Sequence, residues 1–149
     1  INVFEKRGMS IVLNPASNLK LASGIAPVSL FMKKGINLAL GTDGPASNNA
    51  LDMFREMFLT TALAKYREND ASAVDANEVL KMATLGGAKA MGLRNCDTLS
   101  RGKKADLIVI DLSQPNMQPI NNITKNLVYS GSKINVILTM INGNILYQV

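Results

Sequence analysis

Two polar loops hold the residues whose types and spacing could do chemistry, and they lie at residues 14–27 and 41–49. The candidate side chains are, in chain order, Ser17, Asn18, Asp43, Ser47 and Asn48. Asp43 follows an apolar run, and a carboxylate held at the end of a rigid strand can ligate a metal or exchange protons with a substrate. An Asp-Gly pair is also a common turn, in which the carboxylate bonds nearby backbone N–H groups. From the residues alone, both interpretations of Asp43 stay open.

The smaller polar side chains of the loops have a structural interpretation beside a functional one. Ser47, Asn48 and Asn49 precede a helical pattern and are N-cap candidates for it, although an amide there could also touch a substrate. Ser17 and Asn18 could likewise brace their loop by hydrogen bonds or face a substrate. We therefore predict that four residues either contact the substrate or brace their loops: Ser17, Asn18, Ser47 and Asn48.

Several other chemistries find little support in the sequence. Cys96 is the single cysteine and the chain has no histidine to activate it, which argues against nucleophilic catalysis. Lys20 could contact an anion, but an exposed loop lysine is the simpler interpretation. Neither loop contains a GxxxxGKS/T or GxGxxG phosphate-binding pattern.

The elements that must position these loops follow from local patterns. Residues 10–13 form a β-prone run that Asn14-Pro15 ends, and residues 16–26 are predicted to be a loop. Pro27 then opens a short helix that Gly35 stops, and residues 36–40 form an apolar strand of the kind that is buried on both faces. Strand, helix and strand predict a βαβ unit with both polar loops at the carboxyl ends of its strands.

The remaining elements are predicted in the same way. Residues 51–66 form a helix with Phe54, Phe58 and Ala62 on its apolar stripe and Glu56 elsewhere, and Asp75 opens a second helix over 76–85 that Gly86-Gly87 ends or kinks. We expect three further elements: a buried strand within 105–111, a short helix over 123–129, and a hairpin that turns at Asn142-Gly143. The first residues, 1–7, resemble a helix end closed by Gly8.

Composition limits the function classes. The net charge is +5, but Lys and Arg are scattered, so we expect a solvated surface rather than a nucleic-acid site. No apolar run approaches the roughly 18 to 20 residues needed to cross a bilayer, and a membrane role is not expected. A single cysteine suits a reducing cytoplasm.

The two loops resemble paired signatures of the amidohydrolase superfamily, N-P-x-S-N-x-x-L-x-x-G-x-x-P and L-G-T-D-G-x-x-S-N-N. They most resemble the branch of methylthioadenosine and S-adenosylhomocysteine deaminases, chlorohydrolases and guanine deaminase-like enzymes. The likeness continues in order through Asp52, Met53 and Glu56, Ala83-Thr84, Gly87-Ala88, residues 102–107 and 127–130, and Asn142-Gly143. It covers nearly the whole chain.

The resemblance implies an α/β fold: the C-terminal part of a (β/α)8 barrel, with its seventh strand at 11–13 and its eighth at 36–40. It also implies a small composite β-sandwich that residues 105–149 complete, and hence domains of 1–100 and 101–149. Asp43 would contact a zinc or iron ion, accept a proton from the attacking water and pass it to the departing amine. The substrate would be a small nucleoside-like molecule such as methylthioadenosine or S-adenosylhomocysteine.

Two departures from the family pattern qualify this expectation. Leu13 occupies a position where family members usually carry a histidine, and the chain has none of the other histidines that would hold the metal. We therefore expect a chain that lacks the N-terminal part of its enzyme, is inactive alone and pairs either with that part or with copies of itself. A non-catalytic, self-associating scaffold is the main alternative. An aspartate-nucleophile phosphotransferase ranks lower because no second acidic cluster is present to bind Mg²⁺.

Overall fold

A computed structural model describes residues 2–149. Its α-helices are α1 (Asn2–Lys6), α2 (Pro15–Lys20), α3 (Val28–Lys33), α4 (Met53–Glu68), α5 (Ala76–Lys81), α6 (Gly87–Ala90) and α7 (Ile123–Tyr129). Its strands are β1 (Ser10–Leu13), β2 (Asn37–Leu40), β3 (Leu107–Ile110), β4 (Val136–Ile141) and β5 (Asn144–Gln148). The mixed helix and strand content is that of the predicted α/β class. Ile1, the first residue of the predicted N-terminal helix, lies outside the described residues.

The first two strands form the predicted βαβ unit. β1 and β2 pair in parallel, from Ser10 opposite Asn37 to Leu13 opposite Leu40, and α3 lies between them in the chain. β2 is buried over its last three residues, as its apolar run predicted. Because the strands are parallel and in register, the loops that follow them emerge at the same edge of the sheet.

The segment after β1 differs from its prediction. Residues 15–20 were expected to belong to a loop, but they form the helix α2. Pro15 accounts for the difference, because its fixed φ suits the first turn of a helix and its missing N–H costs nothing there. The turn buries Pro15, Ala16 and Ser17.

Helix α4 begins and packs differently from its prediction. The side chain of Asp52 accepts a hydrogen bond from the Phe54 N–H and caps the helix, so Ser47, Asn48 and Asn49 are not its N-cap. The predicted stripe is right in part: Phe54 is buried as expected, but Phe58 is 45% exposed and Glu56 is fully buried. The buried face follows the spacing of Phe54, Met57, Thr60, Thr61 and Ala64.

The structure after α4 confirms the predicted N-cap of the next helix and shows what form the predicted helix break takes. The carboxylate of Asp75 accepts hydrogen bonds from two backbone N–H groups at the start of α5, as predicted. The expected end or kink near Gly86-Gly87 takes the form of a π-helical turn, Met82–Gly86, that leads into α6. This turn packs against β2: the Asn37 side chain donates a hydrogen bond of 3.1 Å to the Gly86 carbonyl.

The last three strands form a separate antiparallel sheet in the order β3-β4-β5. The β4–β5 hairpin turns at Asn142 and Gly143 with φ of 50° and 82°, as the Asn-Gly pair predicted. β3 was expected to be buried, but Ile108 and Val109 are 49% and 42% exposed. The apolar run identified the strand correctly, but burial depends on what covers a face, and a local pattern does not contain that information.

A single apolar core joins the βαβ unit to the helices that follow it. It includes Leu13, Val28, Leu38, Leu40, Phe54, Met57, Val79, Met82 and Val128. Across residues 2–149, no helix has the length and apolar character needed to cross a membrane.

Candidate functional site

Asp43 lies three residues beyond β2, at the edge of the sheet from which both polar loops emerge. Its backbone has a φ of 58°, the left-handed region, which Asp tolerates better than most residues. Asp43 is solvent-exposed. An exposed carboxylate on a constrained turn at a strand end is accessible to a ligand.

Two serine hydroxyls fix the orientation of this carboxylate. Ser17 Oγ and Ser47 Oγ each donate a hydrogen bond of 2.7 Å to Asp43 Oδ2. The Ser47 hydroxyl, then the Ser17 hydroxyl and the Gly44 N–H lower the pKa of Asp43 below its ordinary value, because they stabilise the ionised form. The two hydroxyls therefore favour the ionised form of Asp43 and fix the orientation of its carboxylate, which suits binding of a cation.

The two serines come from the segments that follow two different strands. Ser17 lies on α2 and is 3% exposed. Ser47 lies in the turn after Asp43, where the backbone N–H groups of Ser47 and Asn48 both donate to the Gly44 carbonyl. The loop after β1 thus contacts the carboxylate of the loop after β2, and both lie at the carboxyl ends of neighbouring parallel strands.

The two candidate asparagines have different surroundings. Asn48 is buried, and its side-chain amide donates to the Thr42 carbonyl at 2.9 Å and to Glu56 Oε1 at 2.6 Å. Asn48 therefore braces its loop. Asn18 is partly buried, and no hydrogen bond from its side chain is found among residues 2–149.

Glu56 is a residue of this region that sequence reasoning placed on the wrong face. Its Oε2 accepts a hydrogen bond of 3.0 Å from the Ala16 N–H, and its Oε1 accepts the bond from Asn48. Two signals were available: the family likeness includes Glu56, and Glu56 lies three residues after Met53 and four before Thr60, which is the spacing of a buried helix face. A search for apolar residues alone misses it.

Lys20 adds a further link between the loops. Its Nζ donates to the Ala46 carbonyl at 2.9 Å and to Asn49 Oδ1 at 2.7 Å. The side chain is therefore engaged with the second loop, and these contacts do not support an anion site.

The residues of the region do not make a metal site by themselves. No group of three or more His, Cys, Asp or Glu side chains lies close enough together in residues 2–149 to hold an ion. A catalytic zinc takes three protein ligands beside its water, and here the candidate set offers Asp43 alone. Leu13, where the family resemblance led us to look for a histidine, is buried in the core.

Comparisons with known proteins agree on one family. The model of the amidohydrolase family matches residues 1–146. The chain is 48% identical over 149 residues to a 5-methylthioadenosine/S-adenosylhomocysteine deaminase of Caldanaerobacter subterraneus, and the match covers 99% of this chain and 34% of that protein. It is 43% identical over 148 residues to a 5'-deoxyadenosine deaminase of Methanosarcina mazei, with 99% and 34% covered.

A solved structure supports the same conclusion. The zinc-bound crystal structure of an adenosine deaminase from Xanthomonas campestris matches with a TM-score of 0.95 and 42% identity, over 99% of this chain and 34% of that one. The chain thus spans about a third of the length of the relatives that it matches. A family model that matches almost every residue, together with the two loop signatures, establishes that this chain belongs to the amidohydrolase family.

Proposed function

We propose that this chain is the C-terminal third of a metal-dependent enzyme that removes the amino group of a purine nucleoside-like substrate by hydrolysis. The observation that carries the proposal is the exposed carboxylate of Asp43 at a strand end, oriented by hydroxyls from both loops. The names of the similar proteins, deaminases of methylthioadenosine, S-adenosylhomocysteine and 5'-deoxyadenosine, support the substrate class.

The proposed reaction needs a group that moves a proton. Water attacks the carbon that bears the amino group, a C–O bond forms, the C–N bond breaks and ammonia leaves. Asp43 accepts a proton from the attacking water and passes it to the departing amine. Ser17 and Ser47 hold the carboxylate in a fixed orientation, Asn48 braces the second loop, and Asn18 faces either the loop or the substrate.

The architecture proposed for the whole enzyme extends the described one. The parallel pair β1 and β2 would be the last two strands of a (β/α)8 barrel, with residues 1–100 in the barrel and 101–149 in a composite β-sandwich. Asp43 would be one ligand of a zinc or iron ion, and the other ligands would come from the rest of the enzyme. The 149 residues alone would then be inactive, and they would pair with that missing part or with copies of themselves.

The test uses the full-length protein that contains these residues. We expect one divalent metal per chain and ammonia release from methylthioadenosine or S-adenosylhomocysteine. Chelation should abolish the activity and added zinc should restore it. If the metal-loaded protein releases no ammonia from these nucleosides or from 5'-deoxyadenosine, the proposal is wrong.

One observation favours a second candidate function, a non-catalytic scaffold that self-associates. Leu13 is an apolar core residue in a position where the family resemblance led us to expect a histidine. Metal analysis of the full-length protein separates the two candidates, because a scaffold needs no metal and the enzyme needs one per chain. A metal-free full-length protein that forms a stable oligomer would support the scaffold.

A further inference from the structure

Glu56 is a buried carboxylate, and capping of its own helix does not explain why it is buried. It is fully buried in α4, where Asp52 already caps the first turn. Burying a carboxylate is unfavourable unless hydrogen bonds compensate for the lost water, and an apolar side chain would fill the same space without that cost. The two hydrogen bonds of Glu56 therefore indicate where its contribution lies.

Those two hydrogen bonds go to the two polar loops. Oε2 accepts from the Ala16 N–H at 3.0 Å, and Oε1 accepts from the Asn48 side chain at 2.6 Å. Ala16 is the neighbour of Ser17 and Asn48 is the neighbour of Ser47. The carboxylate of Glu56 thus joins the loops from inside the protein at the residues next to the two serines.

Asp43 joins the same two segments from the outside. Its Oδ2 accepts hydrogen bonds of 2.7 Å from both Ser17 and Ser47. We propose that Glu56 is a positioning residue, which holds the loops after β1 and β2 together from within so that Ser17 and Ser47 can orient Asp43. This inference rests on the proposed function, because it assigns Glu56 a role in the reaction of Asp43.

Both side-chain contacts of Glu56 are accepted hydrogen bonds, so the variant Glu56→Gln tests them selectively. A carboxylate accepts from both donors, whereas a glutamine of nearly the same size has one accepting oxygen and one donating NH2 group. In the variant, the NH2 group would face either the Ala16 N–H or the Asn48 amide, donor against donor. Asn48 cannot rotate its amide to compensate without losing its contacts with the Thr42 carbonyl and the Ala50 N–H.

A second variant reverses the polarity of the partner. In the double variant Glu56→Gln with Asn48→Asp, the new carboxylate at 48 accepts from the new amide at 56, while the glutamine oxygen still accepts from Ala16. The contact with the Thr42 carbonyl is lost, so recovery should be partial. Glu68→Gln is the matched control, since Glu68 lies on the same helix and is exposed.

The experiment uses the full-length, metal-loaded enzyme, well below the unfolding temperature of each variant. We expect Glu56→Gln to lower kcat by about 10- to 100-fold with KM changed less than about 2-fold, because a small displacement of a reacting group reduces the rate of chemistry more than it reduces substrate binding. Amide hydrogen exchange should become faster in segments 14–20 and 41–49. The double variant should recover part of the kcat, and Glu68→Gln should match the unaltered enzyme.

Several results would overturn the inference. An unchanged kcat in Glu56→Gln, a lower kcat without faster exchange in both segments, or no recovery in the double variant each excludes the positioning role. If the unaltered enzyme released no ammonia, the proposed function would fail by itself. Hydrogen exchange in the variants would then still show whether Glu56 holds the two loops together.

Discussion

At the residue scale, the central feature is a carboxylate held by hydroxyls from two loops. Ser17 is buried and comes from α2, whereas Ser47 belongs to the turn that follows Asp43. Each contributes a charge-assisted hydrogen bond, a class about twice as strong as a bond between neutral groups. The orientation of Asp43 thus depends on contacts made by both loops.

The Ser17→Ala variant tests this dependence. It removes one of the two hydroxyl donors to Asp43 and little volume, so we expect the full-length enzyme to keep its fold and lose about 10- to 100-fold in kcat or metal affinity. Ser23→Ala, at an exposed position of the same loop, is the control and should behave like the unaltered enzyme. Steady-state kinetics and metal titration provide the measurement. Equal behaviour of the two variants would show that Ser17 does not orient Asp43.

A pH dependence of stability is expected from Asp111, which lies outside the site. The hydroxyl and backbone N–H of Ser113 and the side chain of Gln114 lower the pKa of Asp111 below the ordinary value of 3.8. Because the folded-state pKa is the lower one, this contribution to stability is fully present above about pH 4 and is lost as the pH falls through the folded-state pKa. The Tm difference between the full-length protein and its Asp111→Asn variant should shrink over that range. A constant difference would contradict the expectation.

The sequence could identify Asp43 as a candidate but could not describe its contacts. Asp43 follows an apolar strand, but that local pattern left a turn role open, and the resemblance of the two loop motifs to a known family was needed to favour a chemical role. Glu56 lies 40 residues from Ala16 in the chain, and only the folded arrangement brings them together. A charged residue on a helix was assigned to the solvent side by default, because the hydrogen bonds that allow its burial come from distant segments.

At the element scale, the π-helical turn Met82–Gly86 sets how closely the last helices approach β2. A Cβ on Gly86 would lie 1.9 Å from the Leu38 carbonyl oxygen, which no relaxation of a side chain could relieve. Gly87 has similar helical backbone angles, but a Cβ there would lie 3.9 Å from its nearest neighbour. The two adjacent glycines therefore make a matched pair.

Substitution of the two glycines should have different effects on stability. Gly86→Ala should reduce the free energy of unfolding by about 1 to 3 kcal/mol, at the upper end of that range because the clash is with backbone. Gly87→Ala should leave it unchanged or raise it by about 0.5 to 1 kcal/mol, because alanine favours a helix more than glycine. Denaturant unfolding of the full-length protein measures both. A similar loss in both variants would show that the close approach of Gly86 to β2 is not the cause.

Most elements could be predicted because their signals are local. The βαβ unit, the Asp75 cap and the Asn142-Gly143 hairpin each depend on a few adjacent residues. Helix α2 was not predicted because a proline can either end a strand or begin a helix. The prediction took Pro15 as the end of a strand. The N-cap of α4 was assigned wrongly because three polar residues precede Asp52, and only the backbone path decides which side chain can reach the free N–H groups.

At the scale of the whole molecule, the described surfaces include sheet edges and a cleft that other protein could cover. The parallel sheet has two strands, and parallel sheets are generally buried on both faces and paired at their edges. A cleft of about 920 Å³ lies between the helices and the second sheet, and its lining includes Leu40, Met53, Leu107 and Met140. These surfaces are consistent with a chain that spans about a third of the length of its relatives. Burial of β3 would require further protein to cover its exposed face.

Asp43 is the residue on which the proposed hydrolytic deamination depends most directly. The most direct measurement is the rate of ammonia release by the full-length enzyme with Asp43→Asn, beside Asp70→Asn as a control. Asp70 is a suitable match because it is an exposed loop aspartate whose carboxylate also accepts a serine hydroxyl hydrogen bond, from Ser72. We expect Asp43→Asn to lower kcat by about 10²- to 10⁴-fold and Asp70→Asn to leave it unchanged. Unchanged ammonia release by Asp43→Asn would exclude Asp43 from the reaction.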